Sequence, residues 1–239
     1  MCLGFDADER QRGRDRSQAR ARVVRSLAGG ATLLIAILWS SVAVAAGSGP
    51  SISYCARCIA PSGIPAKLLV PRADELPGFV GAKTTLFSAS SVSGWIRGDE
   101  GSAAEAEAEG AELRRDGFEQ GVFERVNSPH REAVSEALVF ASAQGAIQDL
   151  DSSVAADLKG FEHERGLEKF AIPAIPGSAV LGNFDPARPG ASGNVFFSVG
   201  HCFFLVADVV HNAHTGAQGT KAPVAAAKLL YKRVRHLCS

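Results

Sequence analysis

From residue 102 onward, apolar positions switch between helical and strand-like spacing, and the switches outline a fold. Ser102–Asp116 predicts a helix: Ser102 and Glu105 form a Ser-x-x-Glu capping pattern, and Gly117 offers the left-handed position that ends it. Its alanines and lone Leu113 make a thin apolar face, and Glu105, Glu107 and Glu109 read as its solvated side. Phe118–Val126 and Glu132–Ala141 predict two strands around Asn127-Ser128-Pro129. In Ala143–Lys159, Ile147, Leu150, Val154 and Leu158 recur on one helical face, and Gly160 follows. Residues 171–190 carry four prolines and break regular structure. Asn194–Val199 and Cys202–Val210 then form the clearest hairpin, turning at Gly200-His201. A last helix, capped by Thr220, runs to about Leu237 with Val224, Ala227, Leu230, Tyr231, Val234 and Leu237 inward. The Ser/Thr-rich stretch Lys83–Ile96 fits no period.

Strands joined by short turns favour antiparallel pairing, and helices with one apolar stripe must cover a sheet face. The expectation is an α+β domain: an antiparallel sheet covered on one face by about three helices, in two layers.

Upstream, the pattern is different in kind. Leu27–Ala46 is a charge-free stretch preceded by Arg10, Arg12, Arg14, Arg16, Arg20, Arg22 and Arg25 and closed by Ala43-Val44-Ala45-Ala46. A membrane-spanning helix needs roughly twenty apolar residues. A secretory signal has a basic leader, a shorter apolar centre and a small-x-small cleavage site, here Ala43 and Ala45. Both alternatives keep residues 1–26 cytoplasmic by the positive-inside rule and export the rest. They differ in whether a hydrophobic helix tethers the product or cleavage near Ala45/Ala46 releases it. The leader is long for a signal, and initiation near Val23 or Val24 would shorten it. Tyr54 before Cys55 is too bulky for a lipoprotein signal. The organisation is then a leader (1–26), a signal or anchor (27–46), a Gly/Pro-rich linker (47–71) and an extracytoplasmic domain (72–239).

Composition narrows the class. The chain balances 25 basic against 25 acidic residues, and removing the arginine-rich leader leaves the remainder mildly acidic. That argues against nucleic acid, which calls for a clustered basic face, and against a polybasic membrane-surface module. Thirteen Phe against two Trp and two Tyr point to a phenylalanine-built interior rather than an aromatic sugar platform.

Four cysteines follow the export segment, and Cys2 precedes it. An even number in an oxidising compartment favours disulfides. The strand 202–210 spans about 27–31 Å at ~3.4 Å per residue, and the last helix about 24 Å at ~1.5 Å per residue. If that helix folds back along that strand, Cys238 returns beside Cys202, leaving Cys55 for Cys58. As a redox pair, Cys55-x-x-Cys58 would open a helix that lowers its thiol pKa; Pro61 and Gly63 give no such setting. As a zinc site it would need a second close pair, which the sequence does not supply.

No Gly-x-Ser-x-Gly elbow, phosphate loop or dinucleotide fingerprint occurs, so no catalytic residue and no cofactor are assigned. His211 and His214 are weak metal candidates, set in a loop before the last helix. His201 at a hairpin turn and His163 in a charged connector need no special role. The best binding surface in the pattern is the turn-rich region holding Pro173, Pro176, Asn183, Asp185 and Arg188, since loops on a rigid sheet commonly carry function.

The run from Leu76-Pro77-Gly78-Phe79 through the Phe-rich hairpin to Ala225–Arg233 resembles exported actinobacterial proteins of unassigned role. Some of these are similar to the PsbP/Mog1-like α+β sandwich of cell-wall lipoproteins and sensor domains. The resemblance implies binding or sensing, and it carries over no functional residue. The resulting expectation is an exported, non-enzymatic domain that binds an envelope protein or small ligand. The alternative is an envelope thiol/disulfide or metal-binding protein using Cys55/Cys58 or His211/His214.

Overall fold

The computed structural model describes residues 64–79, 83–96, 103–161, 166–184 and 190–239. Seven strands form one antiparallel sheet: β1 (Lys83–Ala89), β2 (Phe118–Ser128), β3 (Arg131–Phe140), β4 (Glu168–Phe170), β5 (Ala179–Phe184), β6 (Gly190–Val199) and β7 (Cys202–His211). Their order across the sheet is β1-β2-β3-β7-β6-β5-β4. The helices are α1 (Val92–Ile96), α2 (Ala103–Arg115), α3 (Ala143–Gly160) and α4 (Gly216–Val234).

The α+β class and the antiparallel pairing agree with the sequence pattern, but the helices do not share one face. Alternate residues of β7 enter two separate cores. Cys202, Phe204 and Val206 join Val180, Val195, Phe197 and the α4 residues Ala226, Ala227, Leu230 and Val234. Phe203, Leu205, Ala207 and Val209 join Phe196, Leu138, Phe140 and the α3 residues Ala146 and Leu150. The molecule therefore has three layers. The cause is visible in β6 and β7, whose stretches Ala191–Phe197 and Cys202–Val209 are buried without interruption. A strand apolar on both faces needs cover on both.

Other departures have equally local causes. Lys83–Ala89 is an edge strand, its β-branched Thr84 and Thr85 extended along β2 opposite Val126 and Arg125. The proline-rich stretch still contains β5, because Pro173 and Pro176 fall before it. The β2–β3 ladder continues to Ser128 opposite Arg131, tightening the turn to Pro129-His130. Helix α4 starts earlier than expected, with Thr215 as its cap; Gln218 reaches back to accept from Thr215 N at 2.9 Å and His214 N at 2.6 Å. Thr220 is instead buried in the helix–sheet contact. In α3 the buried face is rotated, so that Ile147 is 42% exposed while Asp149, Leu150, Ser153 and Asp157 point inward. Gly117 ends α2 with φ +80°, and Gly200 makes the β6–β7 turn with φ +51°.

The Cys202–Cys238 disulfide is present, with Cα atoms 5.8 Å apart and both residues fully buried. Helix α4 returns along β7 as its length requires, and His201 N donates to Cys238 O at 3.2 Å. Cys55, Cys58, His163, the capping residue Ser102 and the apolar stretch 27–46 lie outside the described residues.

Helix α4 reaches the sheet where side chains are absent. A Cβ on Gly193 would fall 2.6 Å from Gly219 O and 2.8 Å from Thr220 Cα. Gly193→Ala is expected to push α4 outward and cost about 2 kcal/mol, lowering Tm by roughly 4–8 °C. Thermal unfolding followed by circular dichroism checks this; an unchanged Tm would mean the helix shifts without cost.

The domain also begins earlier than residue 72. Ile64, Ala66, Leu69 and Val70, assigned by composition to the linker, are buried in the α4-side core with Leu76 and Phe79. This segment, 64–79, contains two 3₁₀ turns, Ala66–Leu68 and Ala73–Glu75. It packs among residues of β2 and β3, including Val122, Val126, Ala133 and Ala137.

Candidate functional site

A helix seated on an apolar sheet ordinarily presents apolar residues, and α3 breaks that rule. Asp149, Ser153 and Asp157 recur at every fourth position, all on its buried side. Beneath them the sheet answers with polar residues. Asn194 of β6 donates from Nδ2 to Asp157 Oδ2 at 2.6 Å, and both residues are buried. Asn183 of β5 pairs with Ser192 of β6, and Leu181 pairs with Asn194. By the two-residue alternation of a strand, Asn183, Ser192 and Asn194 all face α3. The Asn183 Oδ1 atom is buried and has no hydrogen-bond partner.

Electrostatics at this patch follow from burial. Loss of hydration pushes the Asp157 carboxyl up to about 7, and the Asn194 amide partly opposes that rise by stabilising the anion. Asp157 is thus a carboxyl that exchanges its proton near neutrality, beside one fixed amide and one amide oxygen with unused capacity. These polar groups are enclosed between α3 and the sheet.

The sequence-predicted loop residues are divided by the sheet. Asn183 lies on the α3 face, at the rim of the polar patch. Pro173 and Pro176 are exposed on a loop anchored by Ile172 and Ile175, which belong to the α4-side core. Ser178 fastens that loop, accepting from Ile172 N at 2.9 Å. Of the three described residues, Asn183 therefore lies across the sheet from the loop that carries Pro173 and Pro176. Asp185 and Arg188 lie outside the described residues. His211 ends β7 and His214 is exposed beyond Asn212, whose φ is +59°. Among the described residues, no group of three or more His, Cys, Asp or Glu is placed to hold a metal ion.

A concavity of about 430 Å³ lies at the disulfide end, lined by Glu119, Phe140, Ser142, Gly200, His201 and Ser239. It is open, and it contains none of the buried polar atoms that lack partners.

No family model and no curated protein matches this chain. Among solved structures, the extracellular domain of PknH from Mycobacterium tuberculosis is similar, with a TM-score of 0.45 and 10% identity. The alignment covers 70% of this chain and 94% of that one.

Two arginines that the sequence did not single out organise the opposite face. Arg233 of α4 donates from Nε to Leu68 O at 3.2 Å and from Nη2 to Val70 O at 2.6 Å. Its Nη1 pairs with Glu75 at 2.5 Å. Arg131 of β3 donates to Pro77 O at 2.9 Å, pairs with the buried Asp208, and stands 5.1 Å above the Phe79 ring. Burial raises Asp208 to about 6 despite the arginine, and raises Glu124 to about 7 against the pull of Arg233. Nothing in residue type marks these positions in advance, because a partner's backbone carbonyl leaves no trace in sequence.

Proposed function

We propose that this chain is an exported, non-enzymatic binding domain that works in the cell envelope, either tethered through residues 27–46 or released by cleavage near Ala45/Ala46. The Cys202–Cys238 disulfide carries this reading. A buried cross-link between two distant cysteines suits an oxidising compartment and would be kept reduced in an ordinary cytosol. The arginine-rich leader and the apolar stretch supply the route. Among the described residues no helix is long and apolar enough to cross a membrane, and the stretch 27–46 is not among them. The partner class stays an envelope protein or small ligand, with no nucleic acid.

The test is to express the full chain in intact cells and treat them with a membrane-impermeant protease before mapping non-reduced peptides. The expected outcome is a domain accessible from outside and a peptide linking Cys202 to Cys238. Protected protein with free thiols at both positions would sink the proposal. A readily reducible, low-pKa thiol at Cys55 would instead favour the thiol/disulfide alternative.

A further inference from the structure

The sheet contacts of α4 fall on β5, β6 and β7, and the helix also touches the turn Ala73–Glu75. On that face, the segment 64–79 contributes the apolar side chains that pack with Leu86, Val122, Val126, Ala133 and Ala137 of β1, β2 and β3. Its own backbone bonds are few: Leu68 N to Pro65 O, Leu69 N to Ala66 O, Glu75 N to Arg72 O and Phe79 N to Leu76 O. Arg233 holds Leu68, Val70 and Glu75, while Arg131 holds Pro77. A segment of local turns, with a single bridge residue at Pro65 and with side-chain clamps, has the makings of a separately opening unit.

We propose that residues 64–79 form a strap that opens as a unit from the β1–β3 half of the sheet while the rest of the domain stays folded, with Arg233 and Arg131 as its two clamps. The strap is also the described part of the domain nearest in sequence to the export segment. Its opening is therefore a conformational change located where the domain meets whatever precedes it.

The strap controls the environment of Glu124. That residue pairs across β1–β2 with Leu86 and is buried, with one carboxylate oxygen unpartnered. The charged groups that face it are Arg233 of α4 and Glu75 of the strap. With the strap closed, burial, together with Glu75, raises Glu124 to about 7. With the strap open, water returns and the carboxyl relaxes toward its ordinary range. Closing takes up a proton between those values, so acidification favours the closed strap.

Native-state hydrogen exchange with mass spectrometry on the oxidised exported protein tests this. At pH 7.5 the amides of Leu68, Leu69, Glu75 and Phe79 should exchange at least tenfold faster than those of β6 and β7, after correction for intrinsic rates. Arg233→Ala should speed strap exchange a further tenfold or more and leave β6 and β7 unchanged. Arg233→Lys, which keeps the charge but not the two-carbonyl fork, should fall between and covers the case where the alanine variant fails to fold. Lowering the pH to 5.5 should slow corrected strap exchange by about tenfold, and Glu124→Gln should remove that dependence. Strap amides that exchange together with β6 and β7 in every variant would overturn the proposal. So would strap protection unaffected by Arg233→Lys.

Discussion

Replacing both Cys202 and Cys238 by Ala is expected to cost about 3–4 kcal/mol. The bond closes a loop of sequence separation 36, and a cross-link of that span removes comparable conformational entropy from the unfolded chain. The expected fall in Tm is roughly 8–14 °C for a domain of this size. Both cysteines are fully buried, so the loss adds to any packing defect. Urea unfolding of the oxidised protein, the reduced protein and the double variant separates the contributions. Reduced and double-variant proteins should unfold at similar, lower midpoints. A midpoint that does not move on reduction would show that the cross-link contributes nothing beyond the packing of α4 on β7.

Acidification from pH 8 to pH 5 is expected to stabilise the fold, by about 6 kcal/mol in total. The sign follows from three buried acids. Asp157 and Glu124 titrate near 7 and Asp208 near 6 in the folded state, each raised chiefly by burial. In the unfolded chain they lose their protons at ordinary carboxyl values. Between those limits the folded state binds more protons, so stability is greatest toward pH 5 and declines as pH rises through 6 and 7. Asp157→Asn keeps an acceptor for Asn194 and removes one of the three contributions. Its profile should be flatter, with stability at pH 8 equal to or above that of the parent. Thermal denaturation across pH 5–8 measures this. A parent stability that instead rises with pH would show that these carboxylates are ionised at little cost in the fold.

Much of this architecture was legible from residue patterns because the relevant signals are local. Gly117 and Gly200 mark ends and turns, and Leu230 and Val234 lie on one helical stripe. The Cys202–Cys238 link could be anticipated because helix and strand rises are fixed quantities. The unread part depends on context. The apolar runs Val195–Phe197 and Cys202–Ala207 already imply cover on both faces of β6 and β7. In α3, Leu150, Val154 and Leu158 meet the core as their spacing predicts, but Ile147 is exposed, because the most deeply buried side runs through Asp149, Ser153 and Asp157. Asp149 and Asp157 point inward because Asn194 and its neighbours in the sheet are polar too. Of the candidate site, Asn183 was singled out as a loop residue, yet its cross-strand neighbour Ser192 lies just before the predicted hairpin and Asn194 opens that hairpin. The two arginine clamps act on carbonyls far away in the chain, and no spacing rule reaches them.

The strand order has a kinetic consequence. The sheet consists of two groups of strands consecutive in the chain, β1-β2-β3 and β4-β5-β6-β7, with α1 and α2 between β1 and β2. They meet only at the β3–β7 ladder, where Val139 pairs with Cys202 and Arg131 with Val210. That seam joins residues far apart along the chain, so its closure is the slow, entropically costly event of folding. Until it closes, β3 is an edge. Its Ala137-Leu138-Val139-Phe140 run, wholly buried in the finished domain, is then an uncovered apolar template for another copy's strand. The stretch most central to the native sheet is thus also the one most exposed to misassembly while the chain folds.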